Sequence, residues 1–282
     1  MADGNGPGRI TTAGLAFGAS MAILILLSLW LFIAQPWWFP ALASVHGADV
    51  DSVFMAVLIV TGIAFVVTQG MLGYFVARYG ASESGKEKAG YWHDNPKGEF
   101  FLLTATAIIL VILVFMGQKA WVKYFFSGHP ENALFVQVTG QQFQWHAHYA
   151  GTDGKFGRTD LTLVSSTTNQ IGLDENDPAS KDDIVSTSEL HFPVNRPVVV
   201  RLRSKDVIHS FFLPNQRVKQ DAVPGLAIEV GFTPNVAGLF ELACAELCGN
   251  NHYKMRGMVT IDASEAEFES WLNTKLKERT GD

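Results

Sequence analysis

The chain is poor in cysteine and, over long stretches, empty of charge. Only Cys244 and Cys248 occur among its 282 residues, which excludes a scaffold stapled by several disulfides and leaves one pair to explain. No C-x-x-C-H occurs, so the chain attaches no haem of its own. Charge is absent from Ala13 to Ala34, from Ser52 to Ala77 and from Phe100 to Gln118, runs of 22, 26 and 19 residues. Such runs exclude an ordinary soluble domain, because at about 1.5 Å per helical residue each can cross a hydrocarbon layer of about 30 Å. The net charge of −6 offers no basic footprint for nucleic acid, and no such partner is expected.

The apolar runs predict a transmembrane region over 13–124 with three helices, at about 13–34, 52–77 and 100–118, preceded by a cytoplasmic tail at 1–12. For the first run two readings stand open. Ala41-Leu42-Ala43 looks like a peptidase site after a signal, whereas the length of the run, the weak basic start at Arg9 and the P-W-W-F-P that follows favour a retained anchor. Trp37, Trp38 and Phe39 suit an interfacial aromatic belt. Between Gln35 and Ser52 there is no Lys or Arg, while Arg78, Lys86, Lys88 and Lys97 cluster between the second and third runs. That bias puts the second connection in the cytoplasm and everything after Gln118 outside. The outer part holds all the charge excess, 14 Lys and Arg against 20 Asp and Glu over 125–282, which can steer a basic partner or simply keep the domain soluble.

Near the C-terminus the chain reads C-A-E-L-C-G-N-N-H-Y-K-M, from Cys244 to Met255, and upstream D-V-I-H-S, Asp206 to Ser210, ends a strand-like run at His209. Thiolate, imidazole and thioether are the donors that redox-active copper prefers. Two cysteines outside the cytoplasm usually pair, but a disulfide needs neither His at +4 nor Met at +7 from Cys248. The second thiolate exceeds what a mononuclear site uses and can bridge two ions. From Ala133 onward, short alternating runs read as strands: A-L-F-V-Q-V, Q-F-Q-W-H-A-H-Y, S-E-L-H-F, P-V-V-V-R-L-R, L-A-I-E-V-G-F, L-F-E-L-A and G-M-V-T-I-D. Ser264 and Glu267 then make a capping box, and Phe268, Trp271, Leu272 and Leu276 share a helical face.

These motifs resemble subunit II of haem-copper cytochrome c oxidases, whose dinuclear copper (CuA) loop, D-V-I-H-S and K-Q-D-A-V-P-G segments occur here in the same order. The resemblance implies a membrane-anchored all-β protein: N-terminal transmembrane helices, a cupredoxin-like Greek-key β-sandwich over 125–263, and a short C-terminal helix over 264–282. It implies that His209, Cys244, Cys248, His252 and Met255 bind two copper ions through side chains and Glu246 through its carbonyl. The Glu246 side chain would hold magnesium or manganese at the border with subunit I. Implied partners are subunit I with further oxidase subunits, and a c-type cytochrome donor, including one fixed in a supercomplex. The implied place is a bacterial plasma (inner) membrane, with the copper domain on the periplasmic or extracellular side. Electrons would enter by an aromatic pair at Phe143 and Trp145; the family has tryptophan where Phe143 stands, which puts the entry route in doubt. Asn95 and Glu99 keep part of the family's pattern at its last helix, making Glu99 a proton-entry carboxylate, against the plain reading of a first-turn carboxylate that suits the helix dipole. The family's usual plan has two helices, so the first run is a departure.

Two stretches carry weaker signals. L-D-E-N-D-P-A-S-K-D-D, with Asp174, Glu175, Asp177, Asp182 and Asp183, has no EF-hand spacing and reads as a solvated loop. His129, His146, His148 and His191 show no ligand spacing. Rival readings are a stand-alone membrane-anchored cupredoxin and the copper subunit of a nitric oxide reductase-type enzyme. The second thiolate, Glu246 and the pattern at Glu99 oppose the first rival; the second stays open.

Overall fold

The computed structural model describes residues 11–34, 40–79, 94–125 and 128–281. The tail before Thr11, the aromatics Trp37, Trp38 and Phe39, and the basic Lys86 and Lys88 lie outside the described residues. Among the described residues, three helices are long and apolar enough to cross a membrane: α1 (Thr12–Ala34), α2 (Gly47–Tyr79) and α3 (Pro96–Phe125). The last two overrun their uncharged cores, because caps rather than charge set helix ends. At α3 the Asn95 side chain accepts from the Gly98 N–H at 3.1 Å and proline takes the first position, where its missing N–H costs nothing. Helices α1 and α2 meet through small residues: a Cβ on Gly14 would lie 2.9 Å from the Ala77 carbonyl, and one on Gly73 3.3 Å from Met21.

The second compact unit takes in Pro40–Asp51 and Gln118–Asp282. It contains ten strands: β1 (Leu134–Gln141), β2 (Gln144–Tyr149), β3 (Ile184–Thr187), β4 (Glu189–Pro193), β5 (Val198–Ser204), β6 (His209–Leu213), β7 (Val218–Ala222), β8 (Ile228–Phe232), β9 (Gly238–Cys244) and β10 (Arg256–Asp262). They form two five-stranded sheets in the orders β3-β2-β1-β5-β8 and β4-β10-β9-β6-β7. Each sheet has one parallel pair, β1 with β5 and β10 with β4. Val136, Val138, Trp145, Leu190, Phe192, Leu202, Phe211 and Leu242 fill the space between the sheets. Burying a side chain of this size is worth roughly 1.5–3 kcal/mol.

Three strands, β3, β6 and β7, add to the seven runs read from sequence. His209 begins a strand rather than ending one. V-I immediately before it is exposed, and the ladder starts where His209 pairs with Ala222.

Residues Pro40–Asp51 are part of the sandwich unit. Ala43 N–H donates to Asn215 O at 2.8 Å, Val45 N–H to Thr233 O at 2.9 Å, and Asn235 N–H to Ala43 O at 3.1 Å. Arg217 ties the far end, donating to Asp51 Oδ1 at 2.8 Å and to the Pro40 carbonyl at 2.6 Å. The Ala41-Leu42-Ala43 sequence is therefore a paired segment with Ala43 buried, and a cut after Ala43 would fall inside it.

The acidic stretch is solvated only in part. Glu175 and Lys181 are exposed, whereas Asp174 and Asp183 are buried and the aspartates cap backbone amides. Asp182 accepts from the Thr152 and Asp153 N–H groups at 2.6 and 2.9 Å, Asp177 from Arg158 and Ala179 at 2.8 and 3.1 Å, and Asp183 from Gly157 at 2.7 Å. Residues 150–183 thus fold back across β2, and His148 and His146, on the outward face of that strand, are buried. The C-terminal α4 (Glu265–Thr280) opens on Ser264, whose hydroxyl accepts from the Glu267 N–H at 3.2 Å, while Glu267 accepts from the Ala263 N–H. Trp271 lies flat on His191, ring centroids 4.1 Å apart.

Burial, helped by the charge on Lys205, lowers the His146 imidazole from 6.5 to about 4. The folded domain then binds fewer protons than the unfolded chain within that window, so stability is lost as pH falls from about 6.5 to about 4, by up to roughly 3 kcal/mol. His146→Gln should flatten this loss. The check is the thermal midpoint of the sandwich in the detergent-solubilised chain, followed by near-ultraviolet circular dichroism at pH 7 and pH 4.5. Equal pH slopes in the two proteins would refute the assignment.

Candidate metal centre

Three adjacent strands of one sheet, β6, β9 and β10, bring the ligand residues together. Cys244 closes β9 opposite Phe211 of β6, its N–H bonded to the Met255 carbonyl at 3.0 Å, and the Ala245 N–H donates to Ser210 O at 3.0 Å. The chain then loops out and returns to the sheet at Met255. Gly249 makes that return possible with φ of +136°, a conformation that penalises side chains. The His252 N–H donates to the Gly249 carbonyl at 3.0 Å, starting the 3₁₀ turn His252–Lys254, and Met255 closes it.

The donor atoms converge. Cys244 Sγ and Cys248 Sγ stand 3.9 Å apart, far beyond a disulfide bond of about 2.05 Å, and both thiols are free. His209 Nδ1 is 3.9 Å from Cys244 Sγ, His252 Nδ1 is 3.5 Å from Cys248 Sγ, and Met255 Sδ is 3.7 Å from Cys248 Sγ. The Glu246 carbonyl oxygen lies 3.2 Å from Cys244 Sγ, while the rest of that residue is exposed. Among the described residues, His209, Cys244 and Cys248 are the group of His, Cys, Asp and Glu side chains whose donor atoms gather closely enough to hold an ion.

The donor set fits copper. Two sulfurs 3.9 Å apart can both reach one ion, since two bonds of about 2.3 Å span up to about 4.6 Å. Thiolate, imidazole and thioether together suit copper, whereas hard cations take oxygen. His209, Cys244, Cys248 and Met255 are buried, so the ligands leave little room for water.

Electrostatics prepare one thiol for ionisation. Burial opposes charge on Cys244, yet hydrogen bonds with His209, with the backbone of Ser210 and Glu246, and with His252 outweigh it and lower the thiol to about 6. Burial and the nearby Cys244 charge push Cys248 up to about 11. For His209 burial again opposes charge, and Cys244 and Asp206 overcome it, so the imidazole is raised.

Asp206 is a functional residue that the motif reading left unused. Its Oδ1 accepts from His209 Nε2 at 2.8 Å, which turns Nδ1 toward the thiols. An acidic residue three positions before a ligand histidine was the available signal. Gly140 is another: a Cβ there would lie 2.9 Å from the His209 ring and 3.2 Å from Trp145. Trp145 itself is fully buried and meets His209 edge-on at 5.9 Å. Phe143 is half-buried over Gly249, where a Cβ would come within 3.1 Å of its ring.

Glu99 lies in the first turn of α3, its N–H bonded to Asn95 O at 2.9 Å, in the helical unit. The other histidines have structural partners: His129 meets Glu229 at 2.8 Å, His148 meets Asp183 at 2.7 Å, His191 meets Asp262 at 3.1 Å and His146 meets Thr187 at 3.2 Å.

The family model for the cytochrome c oxidase subunit II periplasmic domain matches residues 134–262. The alternative cytochrome c oxidase subunit 2 of Bradyrhizobium diazoefficiens is 34% identical over 258 residues, covering 90% of this chain and 91% of its own. Cytochrome c oxidase subunit 2 of Cereibacter sphaeroides is 30% identical over 249 residues, covering 84% and 78%. The crystal structure of the periplasmic domain of subunit II of cytochrome oxidase from Bradyrhizobium japonicum covers 54% of this chain and 99% of its own at 30% identity, with a TM-score of 0.39. A third of the residues are thus shared with a curated subunit 2 across nine-tenths of both chains, and the family model falls on the sandwich that carries the two thiols. This chain belongs to the cytochrome c oxidase subunit II family.

Proposed function

We propose that this chain is the electron-entry subunit of a respiratory cytochrome c oxidase, holding a dinuclear copper centre between its two thiols. The observation that carries the reading is the unbonded pair Cys244 and Cys248 at 3.9 Å, flanked by His209, His252 and Met255. Copper held by both thiolates and flanked by the two imidazoles would supply one-electron transfer with little change in bond lengths. The protein's part is to hold the donors still. Strand ends fix Cys244 and Met255, Asp206 orients His209, and the Glu246 carbonyl points inward.

Electrons from a reduced c-type cytochrome would reach this centre through the turn bearing Phe143 and through Trp145. Half-burial of Phe143 at the surface and the contact of Trp145 with His209 support that route. They would leave toward the haem of subunit I, where oxygen is reduced to water with proton translocation. The exposed Glu246 carboxylate would hold magnesium or manganese at the border with that subunit. Glu99 would admit protons on the cytoplasmic side, and the three helices would span a bacterial plasma membrane with the sandwich in the periplasm. The acidic outer part favours a basic donor, including one held in a supercomplex.

Electron paramagnetic resonance of the copper-loaded full chain should show a hyperfine pattern from one electron shared by two equivalent coppers. A four-line mononuclear spectrum would sink the reading. Cys244→Ser should abolish the shared pattern while leaving the sandwich folded by circular dichroism. In the assembled oxidase, Glu99→Gln should slow turnover at least several-fold with unchanged copper spectra, and unchanged turnover would remove the proton-entry role.

A further inference from the structure

The two-residue turn between β1 and β2, Gln142–Phe143, touches both sides of the metal centre. The Gln142 N–H donates to Asp206 Oδ2 at 2.7 Å, and the other oxygen of that carboxylate holds His209 Nε2 at 2.8 Å. The Gln142 side chain reaches the opposite way, its Nε2 donating to the Cys248 carbonyl at 2.5 Å. Gly249 leaves the space for this contact, since a Cβ there would stand 2.9 Å from the same Nε2.

We propose that Gln142 is a positioning residue that fixes the cysteine loop against the His209 side of the centre. Two facts make the amide more than a surface contact. The segment from Glu246 to Asn250 leaves the sheet, so no ladder bonds brace the Cys248 peptide from its flanks. Gln142 also has its own backbone fixed by Asp206, so it does not bring a free side chain to the loop but a tethered one. One carboxylate and one amide thereby tie His209 to Cys248, residues that otherwise sit on separate segments. Such outer partners of metal ligands typically alter metal affinity about 10- to 100-fold.

The inference rests on the copper reading above, and its test separates the two. Amide hydrogen exchange at Leu247 to Asn250 is measured in the copper-free full-length chain, and copper release to a chelator in the loaded chain. Gln142→Met keeps the bulk and removes the donor; it should speed both exchange and release by on the order of 10-fold and change the copper hyperfine splitting. Gln142→Ala should do the same, and serves if the first variant misfolds. Gln144→Met is the control, because that amide faces His146 at 3.3 Å rather than the loop, and both rates should stay within about two-fold. Unchanged exchange in Gln142→Met, faster exchange without faster release, or equal effects in Gln144→Met would each overturn the proposal. A chain that takes up no copper would fail the parent reading, while exchange in the copper-free protein would still decide whether the amide fixes the loop.

Discussion

Two buried thiols held 3.9 Å apart without bonding are the constraint on which the sandwich depends. Left free, cysteines this close outside a reducing compartment would close to a disulfide, shortening the gap to about 2.05 Å. The fold sets their backbones on different elements. Cys244 belongs to the β9 ladder, whereas Cys248 sits beyond the strand on a loop pinned at Gly249, Gln142 and Met255. Moving either backbone would disturb a ladder bond or the positive-φ glycine. The imidazoles then approach from outside the pair, one oriented by Asp206 and the other carried by a 3₁₀ turn.

The same economy of position explains the aromatic run. Strand alternation sends Trp145 inward, where it supports His209, and leaves Phe143 on the turn at the surface. These two residues therefore differ in kind: one is core beneath a ligand, the other a cover over the cysteine loop. Beside them, residues 150–183 and the buried histidines serve packing. His148 with Asp183, and His191 between Asp262 and Trp271, close the outer faces of the sandwich against the inserted segment and the C-terminal helix.

Much of the site was legible in one dimension because copper selects donor types and the cysteine loop is local. Cys244, Cys248, His252 and Met255 fall within a single turn-rich segment, and the Ser264 capping box and the uncharged helical cores are equally local signals. Strands β3, β6 and β7 escaped because tertiary pairing rather than apolar alternation makes them strands. The acidic stretch misled for a related reason: a run of carboxylates looks solvated unless one knows which backbone amides arrive to be capped. Segment 40–51 gave no sign that it would pair with residues more than a hundred positions away.

Sequence alone determined the donor types available to a metal, the length and apolarity of the three helical runs and the family, since donor identity, charge-free length and residue identity are properties of the chain itself. Only the tertiary structure decided that Asp206 bonds to His209 and Gln142 to the Cys248 carbonyl, that Trp145 is buried against His209, and that the aspartates of the acidic stretch cap backbone amides. The reason is physical: hydrogen bonds and ring contacts act over about 3–6 Å between segments that sequence separates widely, and their partners exist only once the sheets have paired.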